Sequence, residues 1–442
     1  MFFRRKIYAQ LQDWKKRWDG RTALLLEGQR RVGKSTVVEK FAQEEYKSYI
    51  RIDFSNCSSE IKNLFEDVSD LDYIFLQLQL FSGKRLYERE SAIIFDEVQL
   101  CPKARQAIKH LVKDHRYDYM ETGSLISIKK NTQGILIPSE ETRLSMYPMD
   151  FEEFLWAQGK DSICPILRQF YEKEKPVGEI HRQMMRQFRL YMLVGGMPQA
   201  VEAYLQQNNF EDVDAVKRNI LDLYEDDFRK IDETGRLSAM FDAIPAQLSR
   251  NAYRYSVSNV DANLRPNNVL ELIAELADSR TVLVAYHVHD PSAGMALTKD
   301  LSQFKLFLSD IGLFVTLAFK DKSFTENIIY KKLLSDKLPA NLGYFFENVV
   351  AQTLAAAGNQ LYYHTFPDKT GNNRYEIDFL LAKRDKVCPI EVKSSGYKRH
   401  ASLDAFGKKY GQHIDRKYLI YTKDLQKDQD ILCLPVYMAQ FL

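Results

Sequence analysis

The sequence predicts an α/β chain built first on a doubly wound parallel sheet. Three observations predict it. Short apolar runs of strand length alternate with amphipathic, helix-length segments over residues 1–157. A glycine-bounded loop, Gly28-Gln29-Arg30-Arg31-Val32-Gly33-Lys34-Ser35, stands between one such strand and one such helix. A later strand, Ala92-Ile93-Ile94-Phe95, is apolar throughout, as in a strand covered on both faces, and it ends in Asp96-Glu97. Open sheets of this class place their ligands at the carboxyl ends of strands, where both the loop and the acids fall.

Each element follows in order. Residues 4–20 read as a helix with Ile7, Leu11 and Trp14 on its apolar face and Lys15, Lys16 and Arg17 opposite. Thr22–Glu27 is a buried strand. The loop after it fits G-x-x-x-x-G-K-[ST], the P-loop. Its backbone N–H groups and the helix N-terminus that follows would face phosphate oxygens. Lys34 would reach the β- and γ-phosphates of ATP, and the Ser35 hydroxyl would ligate Mg²⁺. Gly28 to Ser35, with Thr36 at the helix start, is therefore the expected nucleotide-binding set; Val37, Val38 and Phe41 give that helix its buried face. Ser48–Phe54 alternates as a second strand. Asp96 is expected to hold Mg²⁺, directly or through water, and Glu97 to act as the base that polarises the attacking water. Arg116–Ser124 reads as a further strand ending in the hydroxyls of Thr122 and Ser124. Arg143, in Arg143-Leu144-Ser145, either faces a phosphate or is an ordinary strand-edge arginine.

Composition sets the outer bounds. At 442 residues the chain is too long for one core, so two to four domains are expected. Its 45% hydrophobic and 28% charged content is that of a globular protein. A net charge of +2 neither favours nor excludes nucleic acid, because a basic patch can hide in a balanced total. The five cysteines are scattered and show no C-x-x-C pair, which disfavours a disulfide framework or a zinc site and points to a cytoplasmic location. No apolar h-region follows the basic N-terminus, and no apolar run is long enough to span a membrane.

The loop Gly28–Ser35, Phe95-Asp96-Glu97-Val98-Gln99, Thr122-Gly123-Ser124, Arg143-Leu144 and Tyr147–Leu155 together resemble the prokaryotic AAA+-like ATPases with a C-terminal DUF4143 domain. Gly195-Gly196-Met197-Pro198 resembles the Gly-Gly-x-Pro turn of the same family. The resemblance implies an AAA+ core, a helical lid, a winged-helix segment and a C-terminal nuclease-like fold. It also implies that Thr122 or Ser124 is a polar sensor beside Glu97. The expected divisions are residues 1–157 for the ATPase core, 158–235 for the lid, 236–320 for the winged helix and 330–442 for the last domain.

The later segments carry their own signals. Leu237–Leu248 and Asn268–Ala277 read as helices, and Thr281–Val288 pairs with Lys305–Leu308 as a hairpin: a winged helix-turn-helix. Glu271 and Glu275 on its second helix suit it poorly to phosphates, so a module for packing or for binding a protein partner is expected there rather than a sequence reader. In the last segment, the helix Tyr344–Leu354 carries Glu347 on the flank of an apolar face, where an acid needs a reason. Two strands follow, one with Asp378 and one with Glu391 and Lys393 on a common face. This set resembles the PD-(D/E)XK nuclease fold, which implies catalytic roles for Glu347, Asp378, Glu391 and Lys393, with Mg²⁺ held by Asp378 and Glu391. Ile377 stands where that pattern commonly has proline. Lys398, Arg399, His400, Lys408 and Lys409 would meet a DNA backbone or form a solvated face.

Two functions are compatible with this reading. One is an ATPase core coupled to a Mg²⁺-dependent nuclease domain acting on DNA. The other is a nucleotide-gated switch or scaffold, possible as a homo-oligomer, whose winged helix and C-terminal domain bind a partner without cleavage.

Overall fold

Ala23–Glu27 (β1) is buried at every position because it lies between two strands and under helices on both faces. The computed structural model describes residues 1–123, 139–250, 252–261, 266–292, 294–321, 334, 343–368, 371, 373–394 and 400–442. Ser48–Asp53 (β2), Ser91–Asp96 (β3), Asp118–Gly123 (β4) and Glu141–Ser145 (β5) complete a parallel sheet in the order β2-β3-β4-β1-β5. Alternate residues feed opposite cores. Leu25, Ile52, Phe95 and Tyr119 pack with the helices Leu71–Ser82 and Pro102–Asp114 through Phe75, Leu78, Ile108 and Leu111. Leu24, Leu26, Ile94 and Met120 pack with the helices Ile7–Trp18 and Lys34–Glu45 through Leu11, Trp14, Val38 and Phe41. Fully buried side chains such as Phe41 and Phe95 each contribute about 1.5–3 kcal/mol by leaving water.

Met1–Tyr147 with Asp278–Arg280 forms one compact unit, and Pro148–Ala277 with Thr281–Leu442 forms a second. Within the first, the Arg280 guanidinium and the Ser145 hydroxyl both donate to the Glu27 carboxylate at the end of β1, next to the glycine loop.

The second unit begins with helices, among them Ile180–Val194, Pro198–Gln207 and Phe210–Ile231. The Gly-Gly-Met-Pro turn between the first two is required by close packing. Gly195 has φ +84°, and a Cβ on Gly196 would lie 2.1 Å from the Met149 carbonyl oxygen. Asp310 accepts from Gly196 N at 2.6 Å and caps the helix Ile311–Ala318 through Leu313 N at 2.8 Å. The buried Lys217 ammonium donates to the carbonyls of Leu193 and Gly312 at the same junction.

Val282–Val288 (β6) and Lys299–Leu308 (β7) form the expected antiparallel hairpin, after helices Arg236–Asp242, Ile244–Ser249 and Pro266–Asp278. The hairpin does not stand apart as a wing. β6 also pairs with Tyr362–Pro367 (β8), so segments that the sequence reading divided at residues 236–320 and 330–442 share one sheet. Arg374–Lys383 (β9), Lys386–Val392 (β10), Lys417–Tyr421 (β11), Gln426–Asp428 (β12) and Ile431–Pro435 (β13) complete it, in the order β12-β13-β11-β10-β9-β8-β6-β7. The helix Gly343–Ala356 is pinned to this sheet: the Asn348 amide bonds both the N–H and the carbonyl of Leu308. Among the described residues no helix is long and apolar enough to cross a membrane.

Candidate nucleotide site

The loop Gly28–Ser35 leaves the carboxyl end of β1 and enters the helix Lys34–Glu45. Its two glycines have separate reasons. A Cβ on Gly28 would stand 2.4 Å from the Met146 carbonyl oxygen, and Gly33 turns the chain with φ +98°. The Lys34 ammonium folds back on the loop and donates to the carbonyls of Gly28 and Gln29, each at 3.0 Å. Burial pulls its pKa down to about 8, against the opposing fields of Glu97 and Asp96. Gln29 and Val32 are buried, Arg31 is exposed with φ +68°, and Thr36 lies in the first turn of the helix.

Strand register brings the polar groups together. β3 and β4 pair with Phe95 level with Glu121, so Thr122 falls level with Asp96. The Thr122 hydroxyl donates to Asp96 Oδ1, and the Ser35 hydroxyl donates to the same oxygen at 2.7 Å. Thr122, expected beside Glu97, is thus bonded to Asp96 instead; Ser124 lies outside the described residues. Glu97 follows with φ +53°, and its carboxylate accepts from the Gln99 amide. Two hard oxygen donors of the kind Mg²⁺ prefers, Ser35 Oγ and Asp96, are therefore adjacent, with Lys34 and the helix N-terminus beside them.

Arg51, absent from the sequence reading, is part of this constellation. From β2 its Nε donates to Asp96 Oδ2 at 3.0 Å, its Nη2 donates to the same oxygen, and its Nη1 reaches Glu39 at 2.9 Å. Burial alone would push the Asp96 carboxyl up; the donors Ser35, Thr122 and Arg51 outweigh it and hold the group below the usual carboxylate range. The available signal was a charged residue between the buried Ile50 and Ile52. Arg143 lies level with Leu25, three positions before Gly28, and its Nε is held by Glu141 at 2.9 Å. Its partner is a carboxylate of its own strand.

In the second unit the residues expected to form a metal site come from the helix Gly343–Ala356, from the paired strands β9 and β10, and from the residue just after β10. Register places Asp378 and Glu391 on neighbouring antiparallel strands, and Asp378 Oδ2 accepts from Val392 N at 2.7 Å. Lys393 pairs with Glu391 at 3.1 Å. Asp378 and Glu347 also lie near two residues that the sequence reading missed, Glu376 and Lys305. The buried Lys305 ammonium lies 2.6 Å from Glu376 and 3.8 Å from Glu347. Burial and then the charges of Glu347 and Glu376 push the Asp378 carboxyl well above its usual range, with Lys305 opposing. Among the described residues no group of three or more His, Cys, Asp or Glu side chains is arranged to hold a metal ion. Lys305 was visible as a lysine leading the apolar run Leu306-Phe307-Leu308, and Glu376 as an acid two positions from Asp378 on the same strand face. Lys398 and Arg399 lie outside the described residues; His400 bonds Asp404 and Asp428.

Comparison with known proteins agrees with the first unit. Residues 20–155 match the family model of an AAA domain, AAA_14. Residues 185–323 match DUF8612 and residues 342–438 match DUF4143, both domains of unknown function. No curated protein matches the chain. Similar solved structures include a Walker-type ATPase of Pyrococcus abyssi, at 16% identity over 72% of this chain and 96% of that one, with a TM-score of 0.41. The Aeropyrum pernix Orc1 protein in complex with DNA is similar at 12% identity over 73% and 94%, with a TM-score of 0.29. Cdc6p of Pyrobaculum aerophilum is similar at 13% identity over 75% and 94%, with a TM-score of 0.24.

Proposed function

We propose, from the match of residues 20–155 to an AAA domain and of residues 342–438 to DUF4143, that the chain binds and hydrolyses ATP and uses the nucleotide state to control partner binding elsewhere in the chain. The observation that carries this reading is the convergence of the Ser35 hydroxyl, the Asp96 carboxylate and the Thr122 hydroxyl beside the Lys34 loop. Ser35 and Asp96 fit Mg²⁺, which when bound neutralises charge on the β- and γ-phosphates. Lys34 exchanges its loop carbonyls for phosphate oxygens. Glu97 orients the attacking water once it turns from Gln99, and Thr122 keeps Asp96 in place. The experiment is a Mg²⁺-dependent phosphate-release assay on the purified chain and on Glu97→Gln.

A second reading gives the C-terminal domain Mg²⁺-dependent cleavage of DNA. It is supported by the adjacency of the strands of Asp378 and Glu391 and by the Lys393–Glu391 pair. Lys305 favours the switch. Its ammonium pairs with Glu376 and lies near Glu347, so one positive charge already stands where a metal would otherwise offset these acids. Supercoiled, linear and branched DNA incubated with the chain, with and without Mg²⁺ and ATP, separates the two. Cleavage lost in Asp378→Asn with ATP hydrolysis intact supports the nuclease; intact DNA in every arm supports the switch.

A further inference from the structure

Asp96 has no acceptor capacity to spare. An ionised carboxylate offers about four lone-pair directions. Oδ1 accepts from Ser35 and Thr122, and Oδ2 accepts twice from Arg51. A cation held by Ser35 and Asp96 therefore has to displace a donor. Thr122 is completely buried on a central strand and has nowhere to turn. Ser35 is itself one of the two groups that would hold the cation. Arg51 is different: its side chain is 32% exposed, and it already shares its guanidinium with Glu39. It also carries a positive charge, the sign that a metal would bring.

From this geometry we infer that Arg51 is an internal stand-in for the metal: it neutralises Asp96 until Mg²⁺ arrives with nucleotide, then withdraws toward Glu39. The inference rests on the nucleotide reading of the site and adds its regulation. Arg51 is a positioning residue here and contacts no reacting atom. Its consequence is a threshold. Metal alone competes poorly with a guanidinium that makes two charge-assisted bonds to the same oxygen, whereas metal delivered with phosphate gains additional ligands. The site thereby avoids holding free Mg²⁺ between turnovers.

The test compares wild type, Arg51→Met and Arg51→Lys in two measurements. In the first, a fluorescent ATP analogue is titrated at a series of Mg²⁺ concentrations. The Mg²⁺ midpoint for tight binding should fall about tenfold in Arg51→Met, the scale of one lost charge-assisted pair. It should fall less in Arg51→Lys, which keeps a point charge without the fork. In the second, melting is followed without nucleotide. Mg²⁺ should raise the melting temperature of Arg51→Met and leave wild type nearly unchanged. A midpoint that is unchanged or higher in Arg51→Met, or an equal thermal response in both proteins, overturns the inference. If wild type binds no analogue at any Mg²⁺ concentration, the nucleotide reading fails, and the nucleotide-free melting still decides the role of Arg51.

Discussion

The Lys305 ammonium lies 2.6 Å from the Glu376 carboxylate, and both face a helix that adds Glu347 to the same cluster. Burial would pull the ammonium down, but Glu376, Glu347 and Asp378 together raise its pKa above the usual lysine value. Among the described residues, this lysine is the one cation within ion-pair distance of Glu376 and Glu347, so the cluster depends on it.

Removing that cation leaves buried carboxylates without compensation. Lys305→Met should destabilise the chain by about 3 kcal/mol. The loss should shrink as pH falls. Glu347 and Asp378 have raised pKa values in the folded state, so their protonated forms favour folding; that contribution is complete below the unfolded carboxyl values and disappears as pH rises through the folded ones. Chemical denaturation from pH 7 down to pH 5 measures this; a deficit constant with pH would show that it does not arise from uncompensated carboxylate charge.

The Glu97 carboxylate is held by the Gln99 amide. Glu97→Gln should keep nucleotide affinity and lower turnover by roughly 10²-fold or more. Phosphate release at the wild-type rate would assign the base to another residue.

The Lys34 pKa of about 8 makes nucleotide binding pH-sensitive. Phosphate oxygens stabilise the ammonium and raise that value, so binding should take up a proton near pH 8, and affinity should fall as pH rises beyond it. Calorimetry at pH 8 in two buffers of different ionisation enthalpy reads the uptake directly. Identical heats in the two buffers would contradict it.

Gly196 has a steric reason independent of ligand. Gly196→Ala would drive a methyl group into the Met149 carbonyl and should cost about 3 kcal/mol. A thermal melt within a degree of wild type would mean that the turn relaxes freely.

These residues also show what was legible in the sequence and why. The P-loop could be read because its function resides in consecutive backbone groups, so spacing along the chain is also spacing in space. Asp96 and Glu97 could be read because a strand buried on both faces leaves a continuous apolar run before them. Glu347 stood out as an acid on an apolar helix flank. Arg51, Glu376 and Lys305 were missed because their partners come from other elements: Arg51 crosses from β2 to β3, and Lys305 reaches β9 and a helix from the far hairpin. The hairpin was correctly paired within itself, but the second edge of β6, which joins β8, is set by packing at long range. Thr122 was placed beside Glu97 by resemblance; register with Phe95 level with Glu121 sets it against Asp96.

The central claim is that Gly28–Ser35 holds the phosphates of ATP through Lys34. Its most direct test is a calorimetric titration of ATP with Mg²⁺ into wild type and into Lys34→Ala. The account predicts saturable binding to wild type and affinity weakened by roughly tenfold or more in the variant, which loses the main cationic partner of the phosphates. Equal affinity in the two proteins, or no binding to wild type, would contradict it.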